Sequence, residues 1–190
     1  MNAVDPIRSR KAIQAISTYL REKSPRDYLL FKLGINTALR ASDLLTLRAK
    51  DVFEYGAPKD NLVVTESKTG KTRIIPLNDS AKEAILFYAG KADDFKIEPE
   101  TYLFPSEKTG LPITRGQFWR LVNDWAKLVG LEGKYGCHSL RKTFGSTAWR
   151  ANQPIESIQR AFNHSSPAVT CTYLGITQKD VENVYYSVNL

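Results

Sequence analysis

Two kinds of patterning divide this chain. Both ends carry apolar residues at helical spacing behind capping signals, and short β-rich runs lie between them. Asp5-Pro6 reads as an N-cap followed by proline at the first helical position, which predicts a helix to about Glu22. Ser24-Pro25 repeats the signal and opens a second helix, with Tyr28, Leu29, Phe31, Leu33 and Ile35 among its apolar residues. A short helix follows from Ala41 to Leu47. Leu62-Val63-Val64 and Arg73-Ile74-Ile75 then read as a β-hairpin whose tip, Glu66-Ser67-Lys68-Thr69-Gly70-Lys71, is polar and contains glycine. Pro76 ends the hairpin, and Asn78 caps a helix through about Ala89. Residues 91–112 hold most of the remaining loop signals.

Helical spacing returns at Thr114, which caps a run placing Phe118, Leu121, Val122, Trp125 and Leu128 on one buried face; Gly130 and Gly133 stop it. His138 to about Ala151 reads as another helix. Pro154 and Pro167 sit where first helical residues are expected, so short helices start there. Thr177 opens a last helix with Val181, Val184, Tyr185 and Val188 on one stripe. The expected fold is a single α+β domain, mainly helical, with a small antiparallel sheet inserted near the N-terminal third.

Composition narrows the class. At 190 residues and 21.4 kDa the chain suits one ordinary domain and can bury a core without disulfide or metal staples. Mean hydropathy is −0.34, and no stretch approaches the ~18–20 apolar residues of a membrane span. Met1-Asn2-Ala3-Val4-Asp5-Pro6 has no apolar segment of the secretory kind. Two cysteines cannot by themselves build a disulfide framework or a four-ligand zinc site. Membrane, fibrous, disordered and small secreted classes are excluded, and a cytoplasmic protein is expected. The net charge of +7 and pI near 9.4 are the footprint of a nucleic-acid binder. The charge is uneven: +6 over residues 1–50, −3 over 51–105 and +4 over 106–190.

Candidate chemistry lies in an ordered set of residues. Arg40 stands in Thr37-Ala38-Leu39-Arg40-Ala41-Ser42-Asp43-Leu44-Leu45. Lys68 stands at the hairpin tip before Thr69-Gly70. His138-Ser139-Leu140-Arg141 follows a glycine-rich break, His164 comes 23 residues after Arg141, and Tyr173 comes nine after His164. This order resembles the catalytic domain of the tyrosine recombinases, the phage-integrase family. Its pattern is an arginine before a short Glu/Asp-Leu helix, a hairpin lysine, His-x-x-Arg, a second His or Trp, and a tyrosine nucleophile. The resemblance spans about residues 7–175. Two departures stand out. Asp43 replaces the commoner Glu, and Phe162-Asn163-His164 replaces Leu-Gly-His, which is expected to change the backbone before His164 but not its side chain.

The resemblance implies DNA strand cleavage and rejoining through a covalent 3′-phosphotyrosyl intermediate, with no cofactor, ATP or metal. The residue chemistry is consistent with that. Phosphodiester cleavage is slow enough to need up to ~10¹⁷-fold acceleration, and the phosphate's charge repels an anionic nucleophile. Arg40 and Arg141 can fork phosphate oxygens and keep their charge at any workable pH. Tyr173 is the implied nucleophile. A free tyrosine has a pKa near ~10, so its phenolate costs roughly 4 kcal/mol at pH 7. Neighbouring cations or a base must offset this, and His138 and His164 are both candidates. Lys68 is the implied proton donor to the leaving 5′ oxygen, with Lys71 its rival at the same tip. Asp43 positions Arg40 or local backbone. Tyr185 and Tyr186 lie too far after His164 for the pattern. Cys137 and Cys171, which flank site residues, read as buried packing residues.

Double-stranded DNA is the implied partner. The assembly implied is a homotetramer on synapsed sites, free protein being monomeric or weakly associated, with accessory DNA-bending proteins as further partners. The competing readings are type IB topoisomerase-like nicking and resealing, and a catalytically silent DNA-binding regulator of the same fold. Residues 1–190 are expected to be one catalytic domain, with no room for the N-terminal core-binding or arm-binding domains many relatives carry. Residues 177–190 form a helix that packs on its own domain or docks in trans on a neighbouring subunit.

Overall fold

The computed structural model describes residues 4–91, 98–188 and 190. Among the described residues, ten helices and four short strands run in the order α1 (Arg10–Lys23), α2 (Pro25–Asn36), α3 (Ala41–Leu45), α4 (Ala49–Val52), β1 (Phe53–Glu54), β2 (Ala57–Pro58), β3 (Asn61–Thr65), β4 (Thr72–Pro76), α5 (Asp79–Ala89), α6 (Arg115–Leu128), α7 (Cys137–Arg150), α8 (Ile155–Phe162), α9 (Pro167–Leu174) and α10 (Gln178–Ser187). The fold is α+β and mainly helical, as expected. Two compact units divide it, residues 1–144 and 145–190, with the boundary inside α7. No helix among the described residues is long and apolar enough to cross a membrane.

The first unit is built around α2. Its Ser24 cap accepts a hydrogen bond from Asp27 N at 3.2 Å, and Pro25 occupies the first helical position, as the sequence indicates. Leu29, Leu30, Phe31 and Leu33 are all fully buried, so α2 is covered on nearly every side, by α1 and α5 among others. Phe31 meets Trp125 of α6 edge-on, ring centroids 5.7 Å apart. Gly34 lets Leu140 of α7 approach, since a Cβ there would lie 2.6 Å from its Cδ1.

The first helix starts later than its sequence signal. Ser9, not Asp5, is its cap, accepting from Ala12 N at 3.2 Å. Asp5 and Ile7 are committed elsewhere: the Asp5 carboxylate accepts from Lys134 N at 2.9 Å, and buried Ile7 donates its N–H to Thr143 Oγ1 at 2.8 Å. These long-range bonds outcompete the local cap. The helix expected to reach Leu47 stops at Leu45, and the Leu47 carbonyl accepts from Leu103 N at 2.9 Å instead. Two elements were not anticipated: the single turn α4 and the β1–β2 ribbon. The strands therefore form two separate two-stranded antiparallel sheets rather than one. The predicted loop over 91–112 is irregular where described, and its stretch 92–97 lies outside the described residues.

In the β3–β4 hairpin Val63 pairs with Ile74 and Thr65 with Thr72. Leu62, Val64 and Ile75 face the core, and Val63 and Ile74 face solvent. The tip closes through Glu66 N to Lys71 O at 3.0 Å and Gly70 N to Glu66 O at 2.9 Å, with Gly70 at φ 67°. Thr114 and Gln117 form a capping box on α6, on which Phe118, Val122 and Trp125 are buried while Leu128 is exposed.

In the second unit Pro154 is the cap residue of α8, one place before the expected first position, whereas Pro167 does begin α9 behind Ser166. Thr177 caps α10, reciprocated by Asp180. None of the α10 residues is buried.

Candidate active site

Arg40, Lys68, His138 and Arg141 belong to the first unit, His164 and Tyr173 to the second. The first group is assembled by a short loop and a hairpin tip. Ala38 takes left-handed backbone, φ 55°, a conformation that costs an L side chain about 1–2 kcal/mol. That turn presents the Ala38 carbonyl to Nη1 of Arg141 in α7, which donates to it. Two residues on, Arg40 caps α3 with its own backbone extended, and its Nη1 lies 2.5 Å from Oε2 of Glu66. The loop 37–40 thus ties both sequence-predicted arginines to one backbone turn.

Arg141 is buried and Arg40 mostly so. Arg40 is held at the base of the hairpin by an acidic residue that the motif does not contain. Glu66 is 1% exposed and also pairs with Arg73, Nη1 to Oε1 at 2.8 Å. Strand alternation carried one step past Leu62 and Val64 puts Glu66 on the buried face, and a buried carboxylate requires a cationic partner. That was the available signal.

Asp43 does not contact Arg40 through any resolved bond. Its Oδ1 accepts from both Ser67 N at 3.1 Å and Ser67 Oγ at 2.8 Å, anchoring the residue before Lys68. The Asp43 carboxylate thus bonds the backbone and side chain of Ser67. Lys68 and Lys71 are both exposed, and the anchored neighbour belongs to Lys68.

His138 lies on the first turn of α7 with Arg141 three residues on, so the two share a helix face. Burial pushes its imidazole pKa down, and Arg115, Arg141, Lys142 and Arg40 push in the same direction. Both effects favour the neutral imidazole. Arg115, the first residue of α6, gave no motif signal. The start of α7 is fixed by buried Ser139, whose Oγ accepts from Gly136 N at 3.1 Å and whose carbonyl accepts from Thr143 Oγ1 at 2.8 Å. Neither cysteine is buried outright. Cys137, half-exposed, donates to Arg115 O at 3.2 Å, and Cys171 is likewise half-exposed.

In the second unit Phe162, His164 and Tyr173 form a triangle of rings. Centroids are 5.0 Å apart for Phe162–His164, 5.2 Å for Phe162–Tyr173 and 5.1 Å for His164–Tyr173, the last two edge-to-face. The Tyr173 hydroxyl oxygen is buried. His164 Nδ1 lies 3.1 Å from Thr170 Oγ1, which also donates to Ser166 O at 3.4 Å. Asn163 caps α8 at φ 50°, the backbone a glycine takes at this position of a helix end. The Phe-Asn-His departure thus preserves the left-handed turn before His164, because asparagine tolerates it. Phe162, fully buried between the other two rings, is the residue motif reading overlooked.

The sequence profile of the phage integrase family matches residues 8–179. With these two groups of side chains in place, the match assigns the chain to its class: it belongs to the phage integrase family, the site-specific recombinases that use a tyrosine. One relative, described as a probable integrase/recombinase, YoeC, of Bacillus subtilis (strain 168), is 44% identical over 185 residues, 97% of each chain. Tyrosine recombinase XerC of Thermodesulfovibrio yellowstonii is 30% identical over 165 residues, 84% of this chain and 53% of XerC. The chain therefore spans about half the length of that relative. Among solved structures, XerA recombinase matches with a TM-score of 0.73 at 23% identity, over 96% of this chain and 65% of that one. XerH bound to a palindromic difH substrate in a post-cleavage complex matches at 0.71 and 18%, over 97% and 53%. Both establish the fold.

Proposed function

We propose that the chain cleaves and rejoins one strand of double-stranded DNA at a time, with Tyr173 as nucleophile and Arg40 and Arg141 as the phosphate clamp. The observation that carries this reading is the loop 37–40, which bears Arg40 itself and holds Arg141 through the Ala38 carbonyl. Tyr173 Oη bonds to phosphorus as the P–O5′ bond breaks. The phenolic proton passes to a histidine, and the leaving 5′ oxygen takes a proton from the Lys68 ammonium. Two guanidiniums offset the charge that builds on the phosphoryl oxygens. One phosphodiester replaces another, so the reverse step reseals DNA without an energy source.

The neutral state of His138 lets it either accept the tyrosine proton or donate to a phosphate oxygen. The His164 ring, whose centroid lies 5.1 Å from that of Tyr173, supports a base role there. Double-stranded DNA as partner is supported by the XerH complex and by the basic charge of the chain. A homotetramer on two synapsed sites, assisted by DNA-bending proteins in the cytoplasm, is the working assembly. The exposed apolar stripe of α10 supports docking on a neighbouring subunit, with residues 1–190 acting as the catalytic domain.

The test is a nicked suicide duplex made from the DNA that flanks the chain's own gene. Wild-type protein should form a covalent adduct stable to detergent, mapped to Tyr173, and Tyr173→Phe should form none. An adduct retained in Tyr173→Phe, or absent from wild type under conditions where the duplex binds, overturns the assignment.

A further inference from the structure

We propose that Glu66 is a positioning residue that sets both reacting cations of the first unit at once, the Arg40 guanidinium and the turn that carries Lys68. The inference rests on the strand-transfer reading above. Oε2 of Glu66 is shared between Arg40 Nη1 at 2.5 Å and Thr69 Oγ1 at 2.8 Å, so one oxygen joins the clamp to the hairpin tip. Its backbone closes the same turn from both sides. The Glu66 carbonyl accepts from Gly70 N at 2.9 Å and Thr69 N at 3.3 Å, and its N–H donates to Lys71 O at 3.0 Å. Lys68 therefore sits in a turn whose two ends and whose Thr69 side chain all return to Glu66.

Charge neutralisation alone does not account for this arrangement. Arg73, at 2.8 Å from Oε1, already balances the buried carboxylate. Arg40 is a second cation on that carboxylate, and Glu66 holds its guanidinium in place. Asp43 secures the same turn through Ser67. A displacement of Glu66 thus moves Arg40 and the Lys68 turn together.

Single-turnover cleavage of two nicked duplexes separates the two branches. Both are built from DNA flanking the chain's own gene; one carries the ordinary bridging 5′ oxygen at the cleaved phosphate and the other a bridging sulfur. Sulfur departs as a thiolate and needs no donated proton, so it bypasses Lys68 but not Arg40. Thr69→Val, which cuts only the tip branch, should slow the oxygen substrate about fivefold, the worth of one hydrogen bond, and leave the sulfur substrate at the wild-type rate. Glu66→Gln should slow the oxygen substrate about 10²-fold, as expected for small misplacement of reacting groups, and sulfur should restore only part of it. Equal losses on both substrates in both variants, or rates within about twofold of wild type, overturn the proposal. If Glu66→Gln does not fold, Thr69→Val still decides the tip branch. If wild type forms no adduct on either duplex, the strand-transfer reading fails. The clamp is then judged by amide hydrogen exchange at Thr69 and Gly70: faster exchange in Glu66→Gln with α2 unchanged supports it, and unchanged exchange at the turn overturns it.

Discussion

His138 is surrounded by positive charge: Arg115, Arg141, Lys142 and Arg40 all lower its proton affinity on top of burial. The unfolded imidazole titrates near ~6.5, and the folded one lies below that. Above that value both states are neutral and the residue adds no pH dependence. As the pH falls below it, the unfolded chain takes the proton first, so stability declines until the folded value is passed. The stability difference between wild type and His138→Gln, read by denaturation melts, should therefore change as the pH falls below ~6.5 and stay constant above it. Arg115→Gln should move the acid limb of DNA cleavage upward, toward ~6.5, because one of the cations depressing the imidazole is gone. At this scale Arg40, Lys68, His138, Arg141, His164 and Tyr173 stand out in the sequence through the resemblance that their order and spacing carry. Arg115 and Phe162 carry no such signal, and Glu66 shows only as a carboxylate on the buried face one step past β3. Their places come from the fold: Glu66 pairs with two guanidiniums, Arg115 adds positive charge around an imidazole, and Phe162 packs on two rings.

Among the elements, the capping signals predicted starts well wherever the cap residue had no stronger partner. Ser24, Asn78, Thr114 and Thr177 all cap the helices their sequence announces, and Pro167 begins α9 as expected. Asp5 fails because Lys134 N, 129 residues away, takes its carboxylate, and no local pattern encodes that. The β1–β2 ribbon fails for lack of length, two residues a strand offering no alternation to read. Within α7 the tight element is Gly145, where a Cβ would overlap the Phe162 ring and lie 2.7 Å from Leu174 Cδ2. Gly145→Ala should cost about 1–3 kcal/mol through overpacking and displace Phe162 from His164 and Tyr173. Thermal melts should read the first effect, and single-turnover adduct formation should fall with the second. A melt and a rate both unchanged would mean that the triangle of rings tolerates movement of Phe162.

For the whole molecule, the fold class was legible because helix caps and one hairpin sufficed to define it. The separation into two compact units was not, since the boundary lies within a continuous helix that shows no break in sequence. Deleting residues 178–190 should leave the melting of the free protein nearly unchanged, because none of the α10 residues is buried. The same deletion should reduce the oligomer formed on DNA, measured by sedimentation with and without a duplex. A truncated protein that assembles on DNA as wild type does would remove α10 from the interface. DNA binding itself should weaken steeply with salt, log K falling by roughly 0.9 per log unit of salt for each phosphate contacted.

The pinning of Asp5 and Ile7 has a consequence in time. Ile7 N–H finds its acceptor in Thr143, 136 residues later in the chain. At a synthesis rate of ~5–20 residues per second, Ile7 waits roughly 7–30 s for that partner to be made. For that interval the Ile7 side chain, which ends fully buried, lies open on the nascent chain. The segment around Ile7 thus cannot close until α7 has been translated.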